Sequence, residues 1–203
     1  MLKTQALTAN EAAAASRIPL KQVHRIIDAG LLEGAVETRR GNRLIDGLGL
    51  VALKLAYVTA DVLTPAARRR AVLSVLKEPS KPVRERAVTV EVDEIEAELQ
   101  EGLQDLAEAK AMVATDPEIM GGTPCFAGTR IPVHDIADMV ANGDTPATIT
   151  KAYSTLDERR IRLAIVYTAA YPRRGRPKRA PAWRASPPIS SKRFRLDDPP
   201  PAA

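Results

Sequence analysis

Residues 116–133 are the part of this sequence that most limits its possible folds. Glycine accepts positive φ angles, whereas proline fixes φ and has no N–H to donate to a regular element. The stretch combines the two types at close spacing: Gly121, Gly122, Pro124, Gly128 and Pro132. It therefore predicts a turn-rich hairpin between two helical segments, and it is too rigid for a linker.

Within this stretch, the series from Gly121 to Val133 reads GGTPCFAGTRIPV. It resembles the pattern GG-x-P-x-x-x-GTRIPV of the small helical domain named domain of unknown function 433. The resemblance covers residues 114–172 and implies a domain of short helices, of a kind that commonly belongs to bacterial toxin–antitoxin antitoxins. Arg130 is predicted either to anchor the hairpin or to contact a partner, because its fixed fork of donors suits both roles.

Three helices are predicted after the hairpin. The first covers Val133 to Ala141 and is ended by Gly143, and the second begins at Thr145 and Pro146. The series Thr155-Leu-Asp-Glu158 predicts a capping box that opens the third helix. The residues predicted to form the core stripe of this third helix are Ile161, Ile165, Val166 and Ala169.

The net charge of +5 is divided into blocks of opposite sign. Residues 1–90 carry fifteen basic and eight acidic side chains, residues 91–118 carry one and ten, and residues 119–170 carry five of each. Residues 171–203 are basic again, with nine basic and two acidic side chains. Blocks of this size predict separate surfaces: basic ones for nucleic acid or an acidic protein, and an acidic helix that repels DNA or pairs with basic neighbours.

The N-terminal segment predicts a helix-turn-helix. Thr8 and Glu11 form a capping-box pattern, in which Thr8 is the N-cap and Glu11 lies at N3. Small residues 12–15 follow, Pro19 suits the first turn of a second helix, and Gly30 closes that helix at its C′ position. The residues of the second helix predicted to face the first are Leu20, Val23, Ile26 and Ile27.

Two strand-like runs follow in residues 35–45 and predict a wing around Arg40-Gly-Asn42. Asp46 or a neighbour is predicted to cap a third helix that runs to about Val62. This combination resembles the DNA-binding domain of MerR-type, excisionase-like regulators over residues 5–62, which implies DNA binding. The alternative is a plain helical domain with a solvated basic face. The predicted DNA-binding residues are Lys21, Gln22, His24, Arg25, Arg39, Arg40 and Arg43.

The segment between the two domains predicts a helix from Thr64 to Leu76, a linker over residues 78–86 and a strand over residues 87–92. Residues 93–113 predict an acidic amphipathic helix. This helix either packs within its own chain or forms a homodimer. We favour the homodimer, because a regulator that reads two half-sites needs a two-fold partner.

Residues 172–203 contain eight prolines and almost no apolar periodicity, so this tail is predicted to be disordered unless a partner binds it. Resemblance to VapB-type antitoxins implies that the tail binds a PIN-like ribonuclease toxin and neutralises its acidic Mg²⁺ site. The alternatives are an unengaged tail and minor-groove binding by Arg174-Gly-Arg-Pro177, which resembles an AT-hook core. The predicted toxin-binding residues are Arg173, Arg174, Arg176, Lys178, Arg179, Trp183, Arg184, Arg193, Phe194 and Arg195.

Composition and motifs argue against several other classes of protein. No apolar run reaches the roughly 20 residues of a membrane span and no signal peptide is visible, so we expect a cytoplasmic protein without membrane contact. The single cysteine, Cys125, is predicted to be a small buried hydrophobe. His134 lies beside Asp135 and Asp138 without a further ligand, so no metal is predicted. No motif indicates a cofactor or a catalytic residue, and we do not expect an enzyme.

These observations predict a mainly α protein in four parts. They are a winged helix-turn-helix over residues 1–77, a linker, strand and acidic helix over 78–113, a 433-type helical domain with short β hairpins over 114–171, and a disordered basic tail over 172–203. The expected function is that of a type II antitoxin, which neutralises its cognate toxin and represses its own operon on double-stranded DNA. The alternatives are a dimeric transcription regulator without a toxin and a DNA-binding scaffold that uses the AT-hook-like tail.

Overall fold

The structure, a computed structural model, describes residues 5–39, 41–79, 81–85 and 88–173. These residues form a mainly helical fold with short antiparallel strand pairs, as the sequence predicted. The helices in the described ranges are α1 (Ala9–Ser16), α2 (Leu20–Asp28), α3 (Gly47–Val58), α4 (Pro65–Lys77), α5 (Val92–Ala111), α6 (Val133–Ala141), α7 (Pro146–Ala152) and α8 (Glu158–Ala170). The strands there are β1 (Leu7–Thr8), β2 (Val36–Arg39), β3 (Asn42–Ile45), β4 (Val83–Glu85), β5 (Val88–Val90), β6 (Val113–Ala114) and β7 (Cys125–Phe126).

The start of the chain folds as its local signals predicted. Thr8 caps α1, since its Oγ1 accepts from the Glu11 N–H at 3.3 Å while the Glu11 carboxylate accepts from the Thr8 N–H at 2.9 Å. Arg17 ends α1 in a left-handed conformation with φ 57°, and α2 begins three residues later. Gly30 follows α2 with φ 65°, a conformation that glycine adopts without strain.

A three-stranded antiparallel sheet lies beside these helices, in the order β1–β3–β2. β2 and β3 form the predicted hairpin, and Gly41 adopts φ 79° in its turn. β1 pairs with the other edge of β3, at Leu7↔Ile45 and Thr8↔Leu44. The sequence did not predict this pairing, which brings the start of α1 next to the hairpin.

Local caps also begin the next two helices. Asp46 Oδ1 accepts from the Gly49 N–H at 2.6 Å and caps α3, and the Thr64 hydroxyl caps α4. Helix α3 ends at Val58, before the predicted end near Val62, because the chain turns there toward α4.

The segment interpreted as a linker contains a strand, so that interpretation needs correction at residues 83–85. This strand, β4, pairs with β5 to form a hairpin. Val83 is buried in the same core as α4, and the Glu85 carboxylate accepts two hydrogen bonds from the Arg70 guanidinium, at 3.0 and 2.8 Å. Composition alone did not reveal the strand because proline and charged residues dominate residues 78–86 and the strand has only three residues.

Helix α5 lies at the centre of the fold. Its apolar face packs against α1, α3 and α8 of the same chain, with Ile95, Leu99 and Leu106 buried. Gly102 lies so close to α1 that a β-carbon there would be 1.8 Å from the Ala15 carbonyl oxygen. Because this apolar face is used within the chain, a homodimer would need another surface, and the homodimer stays a prediction.

The glycine-rich segment forms the expected turn-rich structure. β6 pairs with β7, and burial raises the pKa of the Cys125 thiol within β7. Cys125 is 2% exposed, as predicted for a small buried hydrophobe. A short 3₁₀ turn covers Met120–Gly122. The three predicted glycines all have positive φ angles: Gly121 (62°), Gly122 (79°) and Gly128 (74°).

The last three helices confirm some start and stop signals and correct others. Gly143 follows α6 with φ 95°, and Thr145 caps α7, as predicted. The capping box at Thr155 is wrong: Asp157 caps α8, and its carboxylate accepts from the Arg160 N–H at 2.7 Å. The N-cap is the residue directly before the first helical residue. Because α8 begins at Glu158, the capping side chain is that of Asp157, and Thr155 lies too early in the chain.

The core stripe predicted for α8 is also shifted. Ile165 and Ala169 are exposed and Val166 is half-buried. Helix α8 packs between α5 on one side and α6 on another, so its buried surface is not a single stripe. The buried residues of α8 are Ile161, Leu163, Ala164 and Ala170.

Residues Met1–Pro172 form one compact unit, and a second unit begins at Arg173. The first unit contains two groups of buried apolar side chains, one centred on α1, α3 and α5 and the other on α6, α7 and α8. Helix α8 contributes to both, with Ala170 in the first group and Ile161 in the second. The inner boundaries at residues 77 and 113 stay predictions.

Within the described ranges, no helix combines the length and the apolar character needed to cross a bilayer.

Candidate nucleic-acid interface

The exposed face of α2 carries the basic side chains that the sequence placed there. Lys21, His24 and Arg25 are exposed, and Gln22 is half-buried. The three basic side chains form no hydrogen bond or ion pair with any residue in the part of the chain that the structure describes. The three side chains lie on one face of α2, because residues three and four positions apart are neighbours on a helix.

The buried side of α2 differs from the prediction at one residue. Val23 and Ile26 are buried and Ile27 is half-buried, whereas Leu20 is 38% exposed. Leu20 is the first residue of α2, so it lies at the end of the apolar stripe rather than within it. Leu20 is therefore less buried than the other residues of the predicted apolar face.

Arg39 and Arg43 of the hairpin are exposed but lie on different faces. Arg39 pairs with Asn42, and because neighbouring strand residues alternate between faces, Arg43 lies on the face opposite Arg39. Arg43 Nη1 donates to Asp28 Oδ1 at the end of α2, at 2.5 Å. The structure thus brings Arg43 to α2, whereas Arg39 forms no hydrogen bond or ion pair with other described residues. Arg40 lies outside the described residues.

An open concavity of about 430 Å³ lies between α2, the β2–β3 hairpin and the first turn of α1. Most of its lining side chains are polar, and two of them, His24 and Arg43, are basic. A concavity with this lining suits an anionic group such as a phosphate. The lining residues are Thr8, Ala9, Asn10, His24, Gly41, Asn42 and Arg43.

Sequence reasoning missed the contribution of α1 to this concavity. Thr8 was assigned only a capping role, and Asn10 had none. Both reach the concavity because Thr8 pairs with Leu44, the neighbour of Arg43 in β3. A strand of two residues joined to a distant partner leaves no periodic pattern, so no signal in the sequence indicates this contact.

The first turn of α1 is also fixed by a residue from the end of α8. The Tyr171 hydroxyl donates to Glu11 Oε1 at 2.7 Å, and the N–H and hydroxyl of Thr8 donate to Glu11 Oε2 at 2.9 and 2.8 Å. Burial acts to raise the pKa of Glu11, but hydrogen bonds from Tyr171 and Thr8 outweigh it and lower that pKa. Burial and the Glu11 carboxylate raise the pKa of Tyr171.

His134 has a structural environment. Its side chain is 7% exposed, Nε2 donates to the Tyr171 carbonyl oxygen at 2.9 Å, and the ring packs edge-on against Tyr167 with centroids 5.9 Å apart. Among the described residues, no group of three or more His, Cys, Asp and Glu side chains is arranged to bind a metal.

Arg130 is exposed and forms no hydrogen bond or ion pair with other described residues. Of its two predicted roles, the structure therefore gives no support to that of an anchor for the hairpin.

Comparison with known proteins gives the family of the chain. Residues 113–168 match the family described as "Protein of unknown function (DUF433)". Over 186 residues the chain is 34% identical to "Uncharacterized protein y4eO" of Sinorhizobium fredii, an alignment that covers 84% of this chain and 83% of that protein. The chain belongs to the same family as y4eO. The family relationship extends well beyond the DUF433 region, because the y4eO alignment is much longer than residues 113–168.

The DUF433 match begins at β6 and ends within α8, so it contains none of the predicted DNA-binding residues. A crystal structure of Rv2018 from Mycobacterium tuberculosis is 17% identical, with a TM-score of 0.31, and the match covers 78% of this chain and 96% of that one. A TM-score this low does not show that the two proteins share a fold.

The predicted toxin-binding residues lie at or beyond the end of the described chain. Arg173 is exposed and is the first residue of the second unit. The others lie outside the described residues: Arg174, Arg176, Lys178, Arg179, Trp183, Arg184, Arg193, Phe194 and Arg195.

Proposed function

We propose that this protein is a DNA-binding repressor and antitoxin, in which α1, α2 and the β2–β3 hairpin act as a winged helix-turn-helix on double-stranded operator DNA. The observation that carries the DNA-binding part is the polar concavity between α2 and the hairpin, with basic side chains on both sides. The major groove of B-DNA is about 12 Å wide and admits one α-helix. Helix α2 would enter that groove while the hairpin contacts the phosphate backbone.

The charged residues divide into two groups in this proposal. Lys21 and Arg25 of α2 approach base edges and phosphates without first breaking an ion pair. Arg43 is paired with Asp28, but both side chains are exposed, and an exposed ion pair contributes little to stability. A DNA phosphate can therefore replace Asp28 as the partner of Arg43.

The test is binding of the full chain to a duplex that contains the DNA immediately upstream of its gene, measured by fluorescence anisotropy at several salt concentrations. We expect each of the two substitutions in the double variant Lys21→Ala, Arg25→Ala to weaken binding roughly tenfold. If both residues contact phosphates, the slope of log K against log salt should fall in magnitude by about 2.

The matched control is Lys151→Ala, which removes an exposed lysine of α7 in the DUF433 region. This variant should bind like the wild type at every salt concentration. Equal binding by the double variant and the wild type would contradict DNA recognition through α2.

The antitoxin part of the proposal rests on the family resemblance of the DUF433 region and on the basic composition of residues 172–203. A PIN-like ribonuclease would hold Mg²⁺ in a cluster of carboxylates. Arginines of the tail would neutralise these carboxylates and remove the metal-activated water that cleaves RNA. Trp183 and Phe194 would supply apolar anchors between the charges.

Co-expression with the product of the adjacent reading frame tests this part. Growth and co-purification would be measured for the full chain and for the chain that ends at Tyr171. Rescue and a complex that both require residues 172–203 support the tail mechanism, and rescue by the shortened chain contradicts it. Absence of toxicity and of a complex would favour a transcription regulator without a toxin.

A DNA-binding scaffold that uses the AT-hook-like tail is the remaining alternative. It would bind DNA with little sequence preference and a steep salt dependence. An excess of unrelated duplex distinguishes the two, because an operator complex survives this competition and a scaffold complex does not. We further propose that the protein is cytoplasmic and forms a homodimer. A mass measurement in solution would check the homodimer.

A further inference from the structure

A single side-chain hydrogen bond joins the end of α8 to the first turn of α1: the Tyr171 hydroxyl donates to Glu11 at 2.7 Å. We propose that Tyr171 is a positioning residue for DNA binding, because its hydroxyl orients the Glu11 carboxylate and thereby fixes the α1 wall of the concavity. This inference rests on the proposed DNA-binding function and adds a residue that lies outside both the helix-turn-helix and the hairpin.

The path from Tyr171 to the concavity has two steps. Glu11 uses its two oxygens separately: Oε1 accepts from Tyr171, and Oε2 accepts from the N–H and the hydroxyl of Thr8. Thr8 lines the concavity and pairs with Leu44 of β3, the neighbour of Arg43. The carboxylate that Tyr171 orients is therefore the acceptor for the residue that joins α1 to the hairpin.

Tyr171 is itself fixed by the DUF433 side of the fold. Its carbonyl oxygen accepts from His134 Nε2 of α6 at 2.9 Å, and its ring lies 5.0 Å from the ring of Tyr167 in α8. Its side chain also packs against the first group of buried residues, which includes α1. The position of the hydroxyl thus depends on α6 and α8, and the contact with Glu11 transmits that position to the N-terminal site.

The chemistry of this contact separates orientation from packing. A hydrogen bond from a hydroxyl to a carboxylate is stronger and shorter than one between neutral groups, and it has a preferred direction. Phenylalanine at position 171 would keep the ring and its packing but would leave Glu11 Oε1 without this donor. Loss of the hydroxyl should therefore loosen the Glu11–Thr8 capping box while the core stays intact.

The experiment compares Tyr171→Phe with Tyr167→Phe in the full chain. Tyr167 is the matched control, because its ring packs beside Tyr171 but its hydroxyl makes no hydrogen bond within the described residues. We expect Tyr171→Phe to bind the upstream duplex about fivefold more weakly, since this variant lacks a hydrogen bond to a charged group. Tyr167→Phe should keep wild-type affinity.

Amide hydrogen exchange, followed by NMR without DNA, gives a second measurement that is independent of the proposed function. The N–H groups of Thr8 and Glu11 both depend on the capping box, so they should exchange faster in Tyr171→Phe and at the wild-type rate in Tyr167→Phe. The variant Glu11→Gln keeps a side-chain oxygen that can accept the hydrogen bond from the Thr8 N–H, because glutamine also occurs at N3 of capping boxes. Combined with Tyr171→Phe, it should weaken DNA binding by less than the product of the two single effects.

The outcomes separate the two proposals. Faster exchange at Thr8 and Glu11, together with weaker DNA binding by Tyr171→Phe alone, supports the positioning role. Wild-type exchange rates at Thr8 and Glu11 in Tyr171→Phe would overturn it. Faster exchange in this variant together with wild-type affinity for DNA would also overturn it. If the wild type binds neither the upstream duplex nor unrelated DNA, the proposed function fails and the role in DNA binding fails with it, while the exchange rates still decide whether Tyr171 controls the capping box.

Discussion

At the scale of single residues, Gly102 sets how closely helices α1 and α5 approach each other in the N-terminal core. A β-carbon at Gly102 would lie 1.8 Å from the Ala15 carbonyl oxygen and 2.8 Å from its carbonyl carbon. These are backbone atoms of α1, so they cannot move aside as a flexible side chain would. The small residues 12–15 complete this contact by keeping the α1 surface flat. The backbones of α1 and α5 therefore touch at this point.

We predict that Gly102→Ala destabilises the fold by roughly 2 kcal/mol, because overpacking a close contact costs more than the gain in helix propensity from replacing glycine. Chemical denaturation followed by circular dichroism would measure the change. Gln100→Ala, at an exposed position of the same helix, should change the free energy of unfolding by less than about 0.5 kcal/mol. Equal stability of Gly102→Ala and the wild type would mean that α1 and α5 are not in backbone contact.

At the scale of elements, the 3₁₀ turn before β7 contains three consecutive residues with positive φ: Met120 at 51°, Gly121 at 62° and Gly122 at 79°. The methionine side chain is 54% exposed, so packing does not explain why it occupies a conformation that favours glycine. The Thr123 hydroxyl donates to the Met120 carbonyl oxygen at 2.8 Å and stabilises the turn locally.

This geometry predicts opposite tolerance at two neighbouring positions. Gly122→Ala should destabilise the protein by about 1 to 2 kcal/mol, the cost of a β-carbon in a left-handed conformation. Met120→Gly should be close to neutral, because relief of that cost offsets the greater entropy that glycine loses on folding. Thermal unfolding of the two variants would measure both effects, and a large loss of stability in Met120→Gly would show that its side chain packs against something.

Elements that begin or end through contacts within four residues were predictable from the sequence. The Thr8, Asp46 and Thr145 caps and the glycine after α6 follow from the chemistry of short segments, which neighbours along the chain determine. Asp157 shows the limit of this approach, since Thr155 and Asp157 both offer a side chain suited to an N-cap and the local sequence does not choose between them.

Elements that are very short, or that depend on distant partners, were not predictable. β1 is too short to show a period, and β4 lies in a segment that composition assigned to a linker. In the candidate site, the basic face of α2 follows from helical periodicity. In contrast, the Arg43 pair with Asp28 and the Tyr171 contact with Glu11, 160 residues away, required the folded chain. Neither periodicity nor capping patterns link residues so far apart in one sequence.

At the scale of the whole molecule, the two groups of buried side chains share their helices. Helix α5 supplies Leu99 and Leu106 to the first group, and Met112 at its end packs against the second. Helix α8 supplies Ile161 and Ala164 to the second group and Ala170 to the first. Arg159 of α8 also pairs with acidic side chains of α5, with N–O distances of 2.7 and 2.6 Å. Loss of either group therefore exposes apolar surface of the other.

This sharing predicts that residues 1–172 unfold in one cooperative transition, in which the calorimetric and van't Hoff enthalpies agree. Leu99→Ala in the first group and Ile149→Ala in the second remove fully buried side chains, and each should cost about 3 kcal/mol. Both variants should shift the same single transition to lower temperature, whether it is followed by calorimetry or by the exchange of amides in α2 and α6. An early, separate transition in Ile149→Ala, with α2 still protected, would instead mean that the DUF433 region unfolds alone. In that case α8 could not transmit the position of Tyr171 to the N-terminal site.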